Sequence, residues 1–95
     1  MLAYVIAEID VHNPQDYEEY KKMVPSTITA YGGRYLARGG KTEILEGNWS
    51  PKRIAILEFE SMERAKEWLH SELYGPTKKI RHASAKTNMI LIEGI

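Results

Sequence analysis

Two glycine pairs, Gly32-Gly33 and Gly39-Gly40, bracket the five residues Arg34-Tyr35-Leu36-Ala37-Arg38. Bounded this way, the segment reads as a short strand whose two arginines point to one face. The stretch Glu46-Gly47-Asn48-Trp49-Ser50-Pro51-Lys52-Arg53 follows and reads as a hairpin tip. Together they fix a strand, a turn and a returning strand in the middle of the chain. They also gather the polar side chains best able to meet a ligand. They name no reaction.

The rest of the pattern arranges itself around this unit. Over residues 2–11, Ala3, Val5, Ala7, Ile9 and Val11 share one face, and Leu2, Tyr4, Ile6, Glu8 and Asp10 share the other. Both faces are largely apolar, so this strand is expected to be central and covered on both sides. Asn13 is suited to cap a helix, Pro14 to its first position and Asp16 to its first turn. Tyr17, Tyr20, Val24, Ile28 and Tyr31 then recur at helical spacing. Pro25 cannot donate to the Lys21 carbonyl, which predicts a kink or break there, and Gly32 ends the helix.

The second strand begins near Arg34. The Gly39-Gly40 pair predicts a bulge within a longer extended run that resumes over Thr42–Glu46. The return strand spans Arg53–Glu60. Ser61 caps a second helix with Met62, Ala65, Trp68 and Leu69 on its buried stripe. Gly75-Pro76 breaks it, a short helix follows over Pro76–Ala85, and Thr87–Glu93 forms the last strand. The order β-α-β-β-α-β with right-handed crossovers gives an α+β, ferredoxin-like fold: a four-stranded antiparallel sheet in order 4-1-3-2, helices on one face.

Composition narrows the function classes. Thirteen basic and thirteen acidic residues cancel, which leaves no electrostatic case for nucleic acid. There is no cysteine, which removes disulfides, thiolate catalysis and cysteine-based zinc sites. No apolar run nears the ~20 residues of a membrane span. Glu8 and Asp10 come too early for a signal peptide. The expectation is one domain over residues 1–95, in the cytoplasm. A chain of 95 residues is also short enough to gain from oligomerisation.

The segment Gly32-Gly33-Arg34 through Arg38-Gly39-Gly40, the run Glu46-Gly47-x-Trp49-x-Pro51-x-Arg53, the pair Glu58-Phe59 and a Trp68-containing helix resemble domain-of-unknown-function family 1330. The opening Ala3-Tyr4-Val5-Ile6, the Asp16-Tyr17-x-x-Tyr20 spacing and the terminal Gly94 fit as well, so the resemblance covers essentially the whole chain. It implies the dimeric α/β-barrel superfamily, in which two sheets pack face to face with helices outside. Cofactor-free monooxygenases, isomerase-like, dechlorinating and haem-handling members are known there, beside members with no assigned activity. No catalytic motif carries over.

By analogy with that packing, the sheet face away from the helices carries Tyr4, Ile6 and Glu8 from the first strand and Ile54, Ile56 and Glu58 from the third. A lone copy would expose this apolar patch, so a homodimer is expected through Tyr4, Ile6, Glu8, Ile56, Glu58 and Trp49. Arg38 is expected against Glu58 or Glu60, a forked ion pair that fixes dimer register. The alternative is that Arg34 and Arg38 hold a ligand carboxylate. Tyr17, Tyr20, Tyr31 and Trp68 read first as core. Their polar tips leave room for a second role, in which Tyr17, Tyr20, Trp68 and His70 line a pocket between helices and sheet for a small anionic or aromatic metabolite, bound or transformed without a cofactor. The alternative is a non-catalytic homodimeric structural or accessory module. His12, His70 and His82 lack metal spacing, so no metal and no cofactor are expected. Lys78, Lys79, Arg81 and His82 read as a solvated helix face.

Overall fold

The alternation of the first residues becomes strand β1, Ala3–Val11. Its odd-numbered residues Ala3 to Ile9 are buried beneath the helices, and Tyr4, Ile6 and Glu8 face the other way, half-buried. The computed structural model describes residues 1–95. After β1 come α1 (Pro14–Ala30), β2 (Arg34–Arg38), β3 (Ile54–Phe59), α2 (Met62–Leu69), α3 (Gly75–Ser84) and β4 (Ala85–Glu93). The sheet runs β2-β3-β1-β4, and the paired strands are antiparallel. The fold is the expected βαββαβ arrangement. Ala55, Leu57 and Phe59 point inward, and Ile54, Ile56 and Glu58 point outward.

Helix α1 opens as its sequence dictates, with the Asn13 side chain accepting from the Asp16 amide. The expected break at Pro25 does not occur: α1 is continuous through it. The carbonyl that proline leaves without a helical donor, that of Lys21, instead accepts from Arg38 Nη2 at 2.6 Å. A side chain from the sheet thus fills the gap in the ladder. Gly33 then brings β2 in under the helix. A Cβ there would stand 2.5 Å from Phe59 Cε1 and 2.9 Å from Ile28 Cγ2, so only glycine lets the chain pass.

Strand β2 departs from expectation in three ways. Its bulge falls at Leu36, not at the glycine pair: Tyr35 pairs with Leu57 and Ala37 with Ile56, leaving Leu36 over. The extra residue reverses the facing of everything after it. Arg34, opposite Glu58, lies on the outward face, while Arg38, opposite Ala55, lies under the helices. The two arginines therefore do not share a face. Finally, the extension expected over Thr42–Glu46 is absent, and residues 39–53 form no strand. Gly39, at φ +67°, turns the chain away from β3, so the residues after it lose the one strand that β2 pairs with.

The core joins the inward sheet face to one side of each helix. Trp68 stacks on Tyr74 at 4.2 Å and tilts against Phe59 at 5.5 Å. Its indole Nε1 donates to Thr27 Oγ1 at 3.1 Å. Helix α3 buries Thr77, Arg81 and Ser84 behind the buried Tyr74. Arg81 is thus no part of a solvated basic face, because the spacing 74, 77, 81, 84 turns it inward. No helix is long and apolar enough to cross a membrane.

Candidate functional site

Between the helix layer and the sheet lies a cavity of about 20 Å³, room for one water-sized group. Helix α1 contributes Tyr17, Tyr20 and Lys21. Strand β2 contributes Tyr35 and Arg38, and the segment entering β3 contributes Arg53. Trp68 from α2 and Arg81 from α3 complete the polar and aromatic wall, and Ala7, Ile9, Ala55, Leu57 and Met89 form the apolar floor. Tyr17, Tyr20, Trp68 and Arg81 are buried, Lys21, Tyr35 and Arg53 are half-buried, and Arg38 is exposed. The cavity therefore opens between α1 and β2.

The lining has one sign of charge. Lys21, Arg38, Arg53 and Arg81 border it, and none of its 13 residues is Asp, Glu, His or Cys. Three of the four cations are engaged. Lys21 pairs with Glu18 at 2.8 Å. Arg38 bonds the Lys21 carbonyl and lies 4.7 Å from the centre of the Tyr35 ring. Arg81 Nε donates to Tyr74 Oη at 3.3 Å, and the Tyr74 and Tyr20 hydroxyls share a hydrogen bond at 2.9 Å. Arg53 stands over the Tyr17 ring at 5.6 Å, and its buried Nε has no hydrogen-bond partner.

Two of the phenols, Tyr20 and Tyr35, are held protonated. Burial pushes the Tyr20 hydroxyl far above its ordinary value, and the neighbouring Tyr74 adds to the shift. Burial likewise raises Tyr35 to about 12, partly opposed by Arg38. These groups can donate hydrogen bonds at neutral pH but cannot take a proton as phenolates.

Of the ligand residues expected from sequence, the cavity gathers Tyr17, Tyr20, Arg38 and Trp68. It does not gather the other two. Arg34 is on the outward face, where its Nε donates to Glu58 Oε1 at 2.9 Å. His70 is the exposed C-terminal cap of α2. The expected contact of Arg38 with Glu58 or Glu60 is replaced by Arg34–Glu58, because the Leu36 bulge puts Arg38 on the wrong face for it. Sequence reasoning missed Tyr35, Arg53 and Arg81. Arg81 had a signal in its spacing with Tyr74, Thr77 and Ser84. Arg53 had none, because the facing of a residue that ends an irregular loop is set by pairing alone.

The outward sheet face carries the other expected set. Tyr4, Ile6, Glu8, Ile56 and Glu58 are half-buried on it, beside the exposed Ile90 and Ile92 of β4. The 39–53 loop folds over one side, leaving a concave space of about 550 Å³ walled by Ile6, Ile54, Ile56, Ile44, Leu45 and Trp49. Trp49 Nε1 donates to Glu8 Oε2 at 3.1 Å, yet the indole remains 61% exposed.

Comparison with known proteins fits this architecture. The family model described as a domain of unknown function (DUF1330) matches residues 2–95. No curated protein matches the sequence. Among solved structures, a protein of unknown function from Rhodopseudomonas palustris superposes with a TM-score of 0.81 at 15% identity, covering 99% of this chain and 82% of that one. A dimeric ferredoxin-like protein of unknown function from Jannaschia sp. gives 0.74 at 9% identity, covering 99% and 100%. A cofactor-independent oxygenase from Streptomyces nogalater gives 0.66 at 11% identity, covering 99% and 92%. At such identities the likeness is one of fold.

Proposed function

We propose that this chain, which belongs to the DUF1330 family, binds a small aromatic or carboxylate-bearing metabolite at the mouth of the cavity between its helices and its sheet, with one polar atom reaching inside. The observation that carries this reading is the lining: four cationic side chains, three tyrosines and a tryptophan around one cavity, with no acid among them. Three of these cations, Arg38, Arg53 and Arg81, have no carboxylate partner; at a partly closed site they favour an anion, and the aromatic walls favour a flat one. The working unit is a homodimer. Its supports are the apolar outward face, the concave space beside it and the dimeric state named for the Jannaschia relative.

The protein is a binder first. Proton abstraction at neutral pH needs a group able to take the proton. The lining offers only cations, an indole and phenols, two of them raised well above their usual range. The oxygenase among the relatives of the same fold keeps a second reading open, cofactor-free oxygenation of a substrate that enters already ionised.

Native mass spectrometry of freshly purified protein tests both parts. The expected result is a dimer carrying a small organic anion that is lost on denaturation. A stable monomer would refute the assembly. A dimer with no adduct, and no thermal shift with any of a panel of aromatic and aliphatic acids, would refute the ligand reading.

A further inference from the structure

We infer that Arg53 is the anchor for the ligand's carboxylate, an inference that rests on reading the cavity as a ligand site. The argument is first one of availability. Of the four cations at the cavity, Lys21 is paired with Glu18, Arg38 with the Lys21 carbonyl, and Arg81 with the Tyr74 hydroxyl. The Arg53 guanidinium forms neither a hydrogen bond nor an ion pair, and its buried Nε–H is left without an acceptor. An unmatched buried donor is costly, and a charged one more so. A carboxylate accepting from Nε and one Nη satisfies it with the forked geometry that suits arginine.

The second argument is that the chain builds a place for this guanidinium. One wall is the Tyr17 ring. The other is the backbone of Gly39, where a Cβ would overlap the Arg53 guanidinium. Gly39 is also held at φ +67° and donates its amide to the Ile54 carbonyl at 2.8 Å, next to Arg53. The glycine that ends β2 therefore turns the chain and clears the slot in which Arg53 lies.

The ligand class follows from the space. The cavity holds one water-sized group, so a single carboxylate oxygen enters it, and the rest of the molecule lies in the opening flanked by Tyr35 and Arg38. A monocarboxylate on a flat ring, such as a benzoate, meets these conditions.

The test compares benzoate with its neutral isostere benzamide, titrated by calorimetry at fixed ionic strength into wild type, Arg53→Gln, Arg53→Lys, Arg38→Gln and Arg81→Gln. Wild type should prefer benzoate. Arg53→Gln should lose about 10-fold or more of benzoate affinity, as expected for a charged hydrogen bond, with benzamide unchanged. Arg53→Lys should lie between. Benzoate affinity kept in Arg53→Gln but lost in Arg38→Gln or Arg81→Gln would overturn the assignment and leave the cavity reading standing. Wild type binding neither probe would overturn the inference, and wild type binding no acid of the wider panel would overturn the cavity reading as well. Should Arg53→Gln not fold, the Arg53 Nε–H resonance of the wild-type protein decides. It should shift and gain protection from exchange with benzoate, and its indifference to benzoate that does bind would overturn the inference.

Discussion

Pro25 sits inside a 17-residue helix that it fails to break, and replacing it by alanine measures why it is tolerated. A proline in a helix interior costs about 3 kcal/mol relative to alanine. Two terms work against recovering all of that. Alanine loosens the unfolded chain, which costs about 0.4–1 kcal/mol. Its amide also competes with Arg38 for the Lys21 carbonyl, a charge-assisted bond of about 1.5–3 kcal/mol. Arg38 is exposed, so the low end applies. The expected net effect of Pro25→Ala is a stabilisation of about 1 kcal/mol, or a Tm rise of about 4–8 °C for a domain of this size. Urea and thermal melts followed by circular dichroism would read it. A double-mutant cycle with Arg38→Ala isolates the competition, with an expected coupling of about 1.5 kcal/mol because the helix amide has taken the carbonyl. A fall in Tm, or strictly additive changes, would refute the claim that Pro25 frees Lys21 for Arg38.

Other outcomes follow from the same geometry. Arg34→Ala should cost less than about 1 kcal/mol in a monomer, since the Arg34 side chain is 69% exposed; a loss of several kcal/mol there would contradict this. Trp49→Ala should raise the dimer dissociation constant seen by sedimentation, because the indole walls the concave face and holds Glu8; unchanged association would count against that face as the interface. Tyr20 and Tyr35 have folded values raised above 10, so their contribution is complete below pH 10 and is lost as pH climbs, for Tyr35 through about 12. The expected fall is about 1.4 kcal/mol per pH unit for each proton that only the folded state keeps. Tyr35→Phe should make it shallower, and a flat stability profile to pH 12 would refute the burial argument.

The strand order, the helix-side face of β1 and the capped starts of α1 and α2 were legible because each rests on a local rule: alternation, helical period, or a side chain that can cap. Four of the six ligand candidates, Tyr17, Tyr20, Arg38 and Trp68, came together in the cavity because three of them lie on helix faces whose direction periodicity fixes. Arg34 and Arg38 could not be sorted from sequence. Their facing depends on where the strand takes its extra residue, and Leu36 looks no different from its neighbours. The irregular 39–53 loop escaped for a related reason. Thr42–Glu46 has an extended pattern, but Gly39 turns the chain away from the sheet before it, so the segment has no strand alongside to pair with.

That single bulge divides the labour of the central segment. Ahead of it, Arg34 joins Glu58 on the face that carries Ile6, Ile54 and Ile56. Behind it, Arg38 reaches the carbonyl that Pro25 leaves bare, and Gly39 opens the slot for Arg53. An unbroken alternation would have put both arginines on the outward face and left the mouth of the cavity without Arg38. The cationic cavity and the apolar face are thus made by one strand, and the residue that separates them contributes no chemistry of its own. A change that straightened β2 would disturb the cavity and the outward face together, so on the proposed reading a single register shift in five residues should weaken ligand binding and dimerisation at once.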